Sequence, residues 1–405
     1  MEPILLTHLL LVGVVIVASM AMRSVATAVG FSPLLGYLIL GVLLQSGTAL
    51  EWIPALLEHE VFPFLADLGI IALLFRVGLE SNLERLLAEL PTALWISVGD
   101  VFGSGLIAFG VAYGLLGWSF IPSLFTASAL TVTSVGVTVT LWSEAGRIDT
   151  REGTILVDVA ELDDVVGILL MSLLFALAPL LHTAPTATLW GPLATTLGSM
   201  LVKLTLFGAA CLLFARHLER PMTRGFERLH AGEGTMLVIL GVGIVVAALA
   251  ELSGLSIAIG AFFAGLLFSR DPSATQYLDA FRPLHDLLAP FFFVGIGLHL
   301  TPTALVTLDS GVVLLLLAAV AGKLLGAALP AYTILGPTGA LALGVSLIPR
   351  AEIALIIMQR GLELGPWAVS PAAFAAVVLV SAVTVVGVPL LLRPILASAR
   401  PGSAQ

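Results

Sequence analysis

The chain predicts an all-α polytopic membrane protein of about thirteen transmembrane helices, built as an inverted-topology repeat with two discontinuous crossing helices. Three observations predict it. Of 405 residues, 59% are hydrophobic and only 11% charged, and the mean hydropathy is +1.11, a balance no soluble domain sustains. Apolar runs of bilayer-spanning length recur along the whole chain. Two of these runs, one in each half, carry residues that interrupt helices. The 40 Gly and 22 Pro are compatible with this reading, because membrane helices tolerate both where neighbours satisfy the freed backbone groups.

The same composition narrows the function. Cys211 is the single cysteine, so no disulfide framework exists within the chain. A net charge of −9, with no basic tail, metal-finger spacing or phosphate loop, argues against nucleic acid as a partner. The N-terminus carries only Glu2 as an early charge, so its first apolar run is expected to be a retained helix and not a cleaved signal. No soluble regulatory domain is expected after Arg400.

In chain order the apolar segments fall near residues 4–22, 32–49, 62–79, 91–117, 119–141, 154–181, 189–215, 234–251, 254–269, 284–300, 311–333, 337–359 and 370–392. Arginine placement orients them. Arg23 follows the first segment, Arg76 and Arg85 end the third, and Arg147 and Arg151 follow the fifth. Arg216, Arg220, Arg224 and Arg228 follow the seventh, Arg270 and Arg282 flank a loop after the ninth, and Arg393 and Arg400 close the chain. After even-numbered segments only Arg360 is found. Cytoplasmic loops carry the excess of Lys and Arg, so the N-terminus is expected outside and the C-terminus in the cytoplasm.

The polar connection from Arg216 has Leu218, Met222, Phe226 and Leu229 at helical spacing and reads as a helix lying on the membrane surface. It divides the chain into halves of six segments around one connecting segment, which inverts the second half relative to the first. Such folds place broken helices at matching positions. The fifth segment contains TVTSVGVTVT from Thr131, a β-branched run of poor helix propensity. Seven segments later, SLIPRAEIAL from Ser346 contains Pro349, followed at once by Arg350 and Glu352.

The chemistry concentrates in ELDDVVGILL from Glu161. Asp158, Glu161, Asp163 and Asp164 crowd into the start of a long apolar run. Acids at bilayer depth are costly and by default mark an ion or proton pathway. They need protons, cations or a positive side chain from another helix. Lys323 of AGKLLGAAL is the expected positive partner; Lys203 is the only other lysine. Asp163 and Asp164 lie about 100° apart around a helix, so one can face a neighbouring helix while the other faces a cavity. Glu161 and Asp158 are expected to line a vestibule. Gly260, Ala261, Ala264 and Gly265 are small enough for close packing at a dimer face. His182, His285 and His299 fall near segment ends and read as interfacial.

TSVGVT from Thr133, LDDVVG from Leu162, GKLLG from Gly322 and PRAEIALI from Pro349 occur in order at membrane depth. Together with FLADLGIIALLFRVGLE from Phe64 and APFFFVGIGLHL from Ala289, they give a chain that resembles the bacterial sodium/proton antiporters of the cation/proton antiporter superfamily. The resemblance implies a transporter, not an enzyme, with no cofactor and no catalytic residue. It implies a homodimer in a cell inner membrane, with a dimer or scaffold domain at 1–90 and 234–300. A core ion-translocation domain would comprise 91–181 and 311–395, and 182–233 would be linker helix and connector. It also implies that Asp164 binds cation and proton in turn, and that Asp163 joins it as a sodium ligand and pairs with Lys323. Thr133 and Ser134 would line the ion site, and Arg350 and Glu352 would support the second crossover. An Asp-Asp pair is associated with electrogenic exchange. Asp100, Asp158 and Glu161 depart from the family pattern, which expects small or apolar residues there. Potassium or broad monovalent cation exchange is the rival within transporters. A passive channel or an intramembrane aspartyl protease is the rival outside them.

Overall fold

The computed structural model describes residues 3–49, 61–81, 90–134, 136–183, 190–219, 221–223, 225, 235–269, 274–300 and 310–398. All regular structure in it is helical. The helices are α1 (Pro3–Ala28), α2 (Pro33–Ala49), α3 (Val61–Glu80), α4 (Leu90–Phe109), α5 (Phe120–Thr131), α6 (Gly136–Glu144), α7 (Arg151–Thr183) and α8 (Trp190–His217). They continue as α9 (Thr235–Leu252), α10 (Ile257–Phe268), α11 (Ala274–Leu298), α12 (Ser310–Lys323), α13 (Leu329–Ser346), α14 (Glu352–Leu364) and α15 (Pro371–Ser398). Among the described residues, eight helical stretches are long and apolar enough to cross a membrane, and four shorter apolar helices accompany them. Most of the connector from Arg216 lies outside the described residues.

Two helices continue through a wide turn. α4 runs on as a π-helical turn over Gly110–Leu115, and α12 as another over Leu324–Ala328, immediately after Lys323. Such turns are rare and occur most often at functional sites. α13 bends at Gly336, whose φ of 69° suits only glycine, and Pro337 restarts the helix where its missing N–H costs nothing.

The chain packs as two compact units: Met1–Val25, Gly36–Glu84 and Phe175–His299 form the first, and Ala26–Leu35, Arg85–Leu174 and Leu300–Gln405 the second. In the first unit, Phe75, Leu79, Cys211, Ala264, Phe268 and Phe281 form one buried cluster, with the Phe75 and Phe281 rings 5.1 Å apart. α8, expected to be linker, thus contributes Cys211 to this interior. The small residues expected at a dimer face are used inside the unit instead. An added Cβ on Gly265 would fall on the backbone of Phe75 and Leu79, one on Gly260 on Ala247, and Ala261 and Ala264 are fully buried. Small side chains let backbones approach, and α3 and α9 occupy the space.

α11 corrects a boundary. It begins at Ala274, so Arg282 lies within a helix and not beside a loop, and Pro283 and Pro290 are accommodated inside it. Asp279, Arg282, His285 and Asp286 resemble a polar loop in sequence, yet they decorate a helix whose Asp286 meets Arg23 of α1 at 2.5 Å. His285, read as interfacial, is mid-helix and half-buried beside that pair.

Candidate ion-binding site

Every predicted site residue belongs to the second unit. The site starts from two helix breaks. α5 stops at Thr131 and Val132 turns extended (φ −72°, ψ 145°), so the β-branched run interrupts the helix where propensity fails. α13 stops at Ser346, residues 347–351 are non-helical, and Pro349 supplies no backbone donor there. The breaks bond to each other. Ser134 N–H donates to the Pro349 carbonyl at 2.8 Å. Arg350 Nη1 donates to the carbonyls of Val132 at 2.9 Å and Leu347 at 3.0 Å. Trp142 of α6, fully buried, ties Nε1 to Ser346 Oγ of α13 at 2.8 Å.

These contacts have one electrostatic logic. Val132 and Leu347 are the C-cap residues of α5 and α13, where the helix dipoles present negative ends. Arg350, fully buried, puts one guanidinium against both. Glu352 opens α14, at a positive end, and accepts from Ser134 Oγ at 2.9 Å. Arg350 and Glu352, expected as a charged pair, therefore serve different helix ends. Arg350→Met, which keeps the bulk and removes the charge, is expected to cost about 3 kcal/mol because two buried carbonyls lose their donors. Thermal unfolding of the purified protein in detergent measures it, and an unchanged midpoint would contradict this account of the two breaks.

Lys323 comes from the last residue of α12. It reaches α4 because two glycine pairs face each other: Gly99 and Gly103 on α4, Gly322 and Gly326 on α12 and its π turn. A Cβ on Gly322 would sit 2.8 Å from Ser104 Cα, and one on Gly103 would sit 2.6 Å from Gly326 Cα. This is the close approach that glycines spaced four apart permit in membranes. At the contact, Lys323 Nζ donates to Asp100 Oδ2, to the Thr131 carbonyl at 2.7 Å and to Asp163 Oδ2 at 3.3 Å. Lys323 and Asp100 are fully buried.

Asp163 is held by hydroxyls: Ser97 Oγ donates to Oδ1 at 2.9 Å and Thr133 Oγ1 to Oδ2 at 3.0 Å. Gly167, one turn along α7, would place a Cβ on the Val132 side chain, so its lack of one lets the first break lie against this helix. Asp163 is 2% exposed, whereas Asp164 beside it is half-buried, so the two adjacent acids have different surroundings. Glu161 is half-buried and Asp158 is buried.

The structure thus brings Asp163, Thr133 and Lys323 into one hydrogen-bonded cluster and Ser134 and Glu352 into a second contact one residue away. The expected Lys323–Asp163 pairing is present as the longest of the lysine's three bonds. The sequence names Asp100 only as a departure from the family pattern, with no role, and does not single out Ser97 and Ser104. Their spacing of three and four places them on one face of α4, a polar stripe in an apolar helix that marks them as a group.

Helix breaks that bond to each other beside buried ionisable side chains are the arrangement of a secondary ion transporter. The transmembrane model of the sodium/hydrogen exchangers matches residues 8–398, and the chain belongs to that family. It is 28% identical over 355 residues to the high-affinity Na(+)/H(+) antiporter NhaS3 of Synechocystis sp., covering 85% of this chain and 73% of that protein. It is 26% identical over 387 residues to the Na(+)/H(+)-K(+) antiporter GerN of Bacillus cereus, covering 94% of each. The fold matches that of the sodium proton antiporter MjNhaP1 from Methanocaldococcus jannaschii at pH 8, with a TM-score of 0.74, 16% identity and coverage of 97% and 98% of the two chains. The protein is a multi-pass membrane transporter, a monovalent cation/proton antiporter and not an enzyme.

Proposed function

We propose that the protein exchanges Na⁺ for H⁺ across a bacterial inner membrane by alternating access, electrogenically, with Asp164 taking cation and proton in turn. The observation that carries this is the buried cluster of Asp163, Lys323 and Asp100 beside two helix breaks that bond to each other, with Asp164 adjoining it on α7 at half burial. A carboxylate at that depth demands a positive occupant. Because it holds one cation or one proton and never both, competition couples the two gradients; electrogenic exchange takes two protons per Na⁺, the second carried by the neighbouring acid of the Asp-Asp pair. Asp163 and the hydroxyls of Thr133 and Ser134 supply further oxygen atoms suited to a hard cation.

In this reading α5 with α6 is one broken crossing, and Pro337 to Leu364 another. Together with Ser310 to Leu335 and the remaining helices they make about thirteen crossings, of which α10, 12 residues long, is the shortest. The two breaks stand seven crossings apart, as an inverted repeat requires. The N-terminus is outside and the C-terminus cytoplasmic. The second unit, which holds the whole cluster, is the moving core, and rigid-body motion alternates access to it. The first is the scaffold of a homodimer. Asp158 and Glu161 line the approach to Asp164.

A second reading, exchange of K⁺ or of monovalent cations broadly, is favoured by the potassium in the name of GerN. Purified protein in liposomes, assayed for proton exchange with Na⁺, K⁺ and Li⁺ separately, with and without an imposed potential, decides between them. Sodium-dependent exchange enhanced by potential is the expected result. Equal exchange with every cation establishes the second reading, and a cation current without proton movement overturns both.

A further inference from the structure

The resemblance pairs Lys323 with Asp163, a pairing that must open each time Asp163 takes the cation. The geometry distributes its bonds differently. An ammonium has three donors, and here all three are used. Two go to groups outside the ion site: Asp100 Oδ2, the nearest acceptor, and the Thr131 carbonyl at 2.7 Å. Only the third and longest, 3.3 Å, goes to Asp163. Asp100 is itself steadied by Ser104 Oγ, 3.1 Å from its other oxygen. The facing glycines bring the α4 and α12 backbones into close contact beside it, which puts the Asp100 carboxylate within reach of Lys323. Asp163 meanwhile has Ser97 and Thr133 as donors besides the lysine.

We infer that Asp100 is a positioning residue for exchange: it holds the charge of Lys323 against α4, leaving Asp163 available to the transported cation. Loading the site then loosens one long bond and leaves the buried ion pair intact. Lys323 stays charged and in place, a fixed part of the cavity wall. The inference rests on reading Asp163 and Asp164 as the ion site.

The test uses the full chain in liposomes and measures proton exchange over a range of Na⁺, or of K⁺ if the wild type exchanges only that ion. In Asp100→Asn the lysine loses its nearest carboxylate and turns to Asp163, where it competes with the cation. The apparent KM is expected to rise about tenfold, with kcat within about twofold, since competition for a site changes affinity before turnover. Asp100→Glu, which keeps the anchor, should give a KM closer to the wild type. Adding Lys323→Gln to Asp100→Asn removes the competing charge, and KM should return to within about threefold of wild type, as coupled neighbours in a double-mutant cycle do. A merely structural Asp100 would lower yield and thermal stability in these variants and leave KM where it was. An unchanged KM in Asp100→Asn overturns the inference, as does a raised KM that Lys323→Gln fails to correct. Should Asp100→Asn not fold, the paired variant decides: a KM near wild type upholds the inference and a tenfold rise overturns it. Asp164→Asn, run alongside, tests the underlying reading separately, because exchange that survives in it removes the ion site itself.

Discussion

Exchange by Asp164→Asn in liposomes is expected to fall to the background of protein-free vesicles, with the protein still folded and membrane-inserted. The amide is close to the carboxylate in size and fits the same half-buried place on α7. It cannot take up a proton or balance a cation, so neither exchanging species has a reason to occupy it. Burial strengthens the effect, since a charge missing at depth is not replaced by solvent. Thermal stability should change little, because the amide keeps the size and the hydrogen-bonding capacity of the side chain. Wild-type exchange in this variant would sink the assignment of Asp164. Loss of exchange together with loss of folding would leave Asp164→Ser, smaller and also uncharged, to give the answer.

The second large effect is expected from Gly326→Val, a substitution that touches no charged group. A Cβ at this position would stand 2.8 Å from the Gly99 carbonyl oxygen and 3.0 Å from Asp100 Cα, both backbone atoms that cannot step aside. α4 and the π turn after Lys323 must separate, at a cost on the order of 3 kcal/mol for forcing bulk into a close-packed contact. Separation also draws Lys323 away from Asp100, so exchange should be lost even at temperatures where the protein stays folded. Gly326→Ala is the graded control, adding the Cβ alone. Detergent melting curves and liposome exchange on both variants measure the effect. A Gly326→Val protein with wild-type melting and exchange would show that the two helices have room to spare.

Much of the candidate site was legible because its signals are local. Asp163, Asp164 and Lys323 stand out as ionisable residues in apolar runs, where the cost of burial leaves few reasons for them to be. The two breaks were legible for a similar reason: a β-branched hydroxyl run and Pro349 weaken a helix whatever surrounds it. Asp100 was noticed as a departure from the family pattern, yet its role was not legible. Its partner lies 223 positions away, and hydropathy does not say which helices will be neighbours. The facing pairs of Gly99 with Gly103 and Gly322 with Gly326 did carry a signal, but small residues spaced four apart do not name the helix they will meet. The same gap misplaced Gly260, Ala261, Ala264 and Gly265, which have the right sizes for close packing and find their partners within the chain. It also misplaced the start of α11, where charged residues imitate a loop until Arg23 is seen beside Asp286.

By itself, then, the order of residues determined that the chain is helical, that it lies in a bilayer, where two of its helices fail, and that acids sit in apolar runs where they need protons, cations or a positive side chain. These properties follow from each residue's own transfer energy and backbone preference, which no distant neighbour alters much. Packing alone decided which charge answers which: that Arg350 serves the ends of two helices, and that Lys323 leans on Asp100 ahead of Asp163. Such pairings depend on which helix backbones approach closely in three dimensions, and a few ångströms there decide which acid a buried ammonium holds.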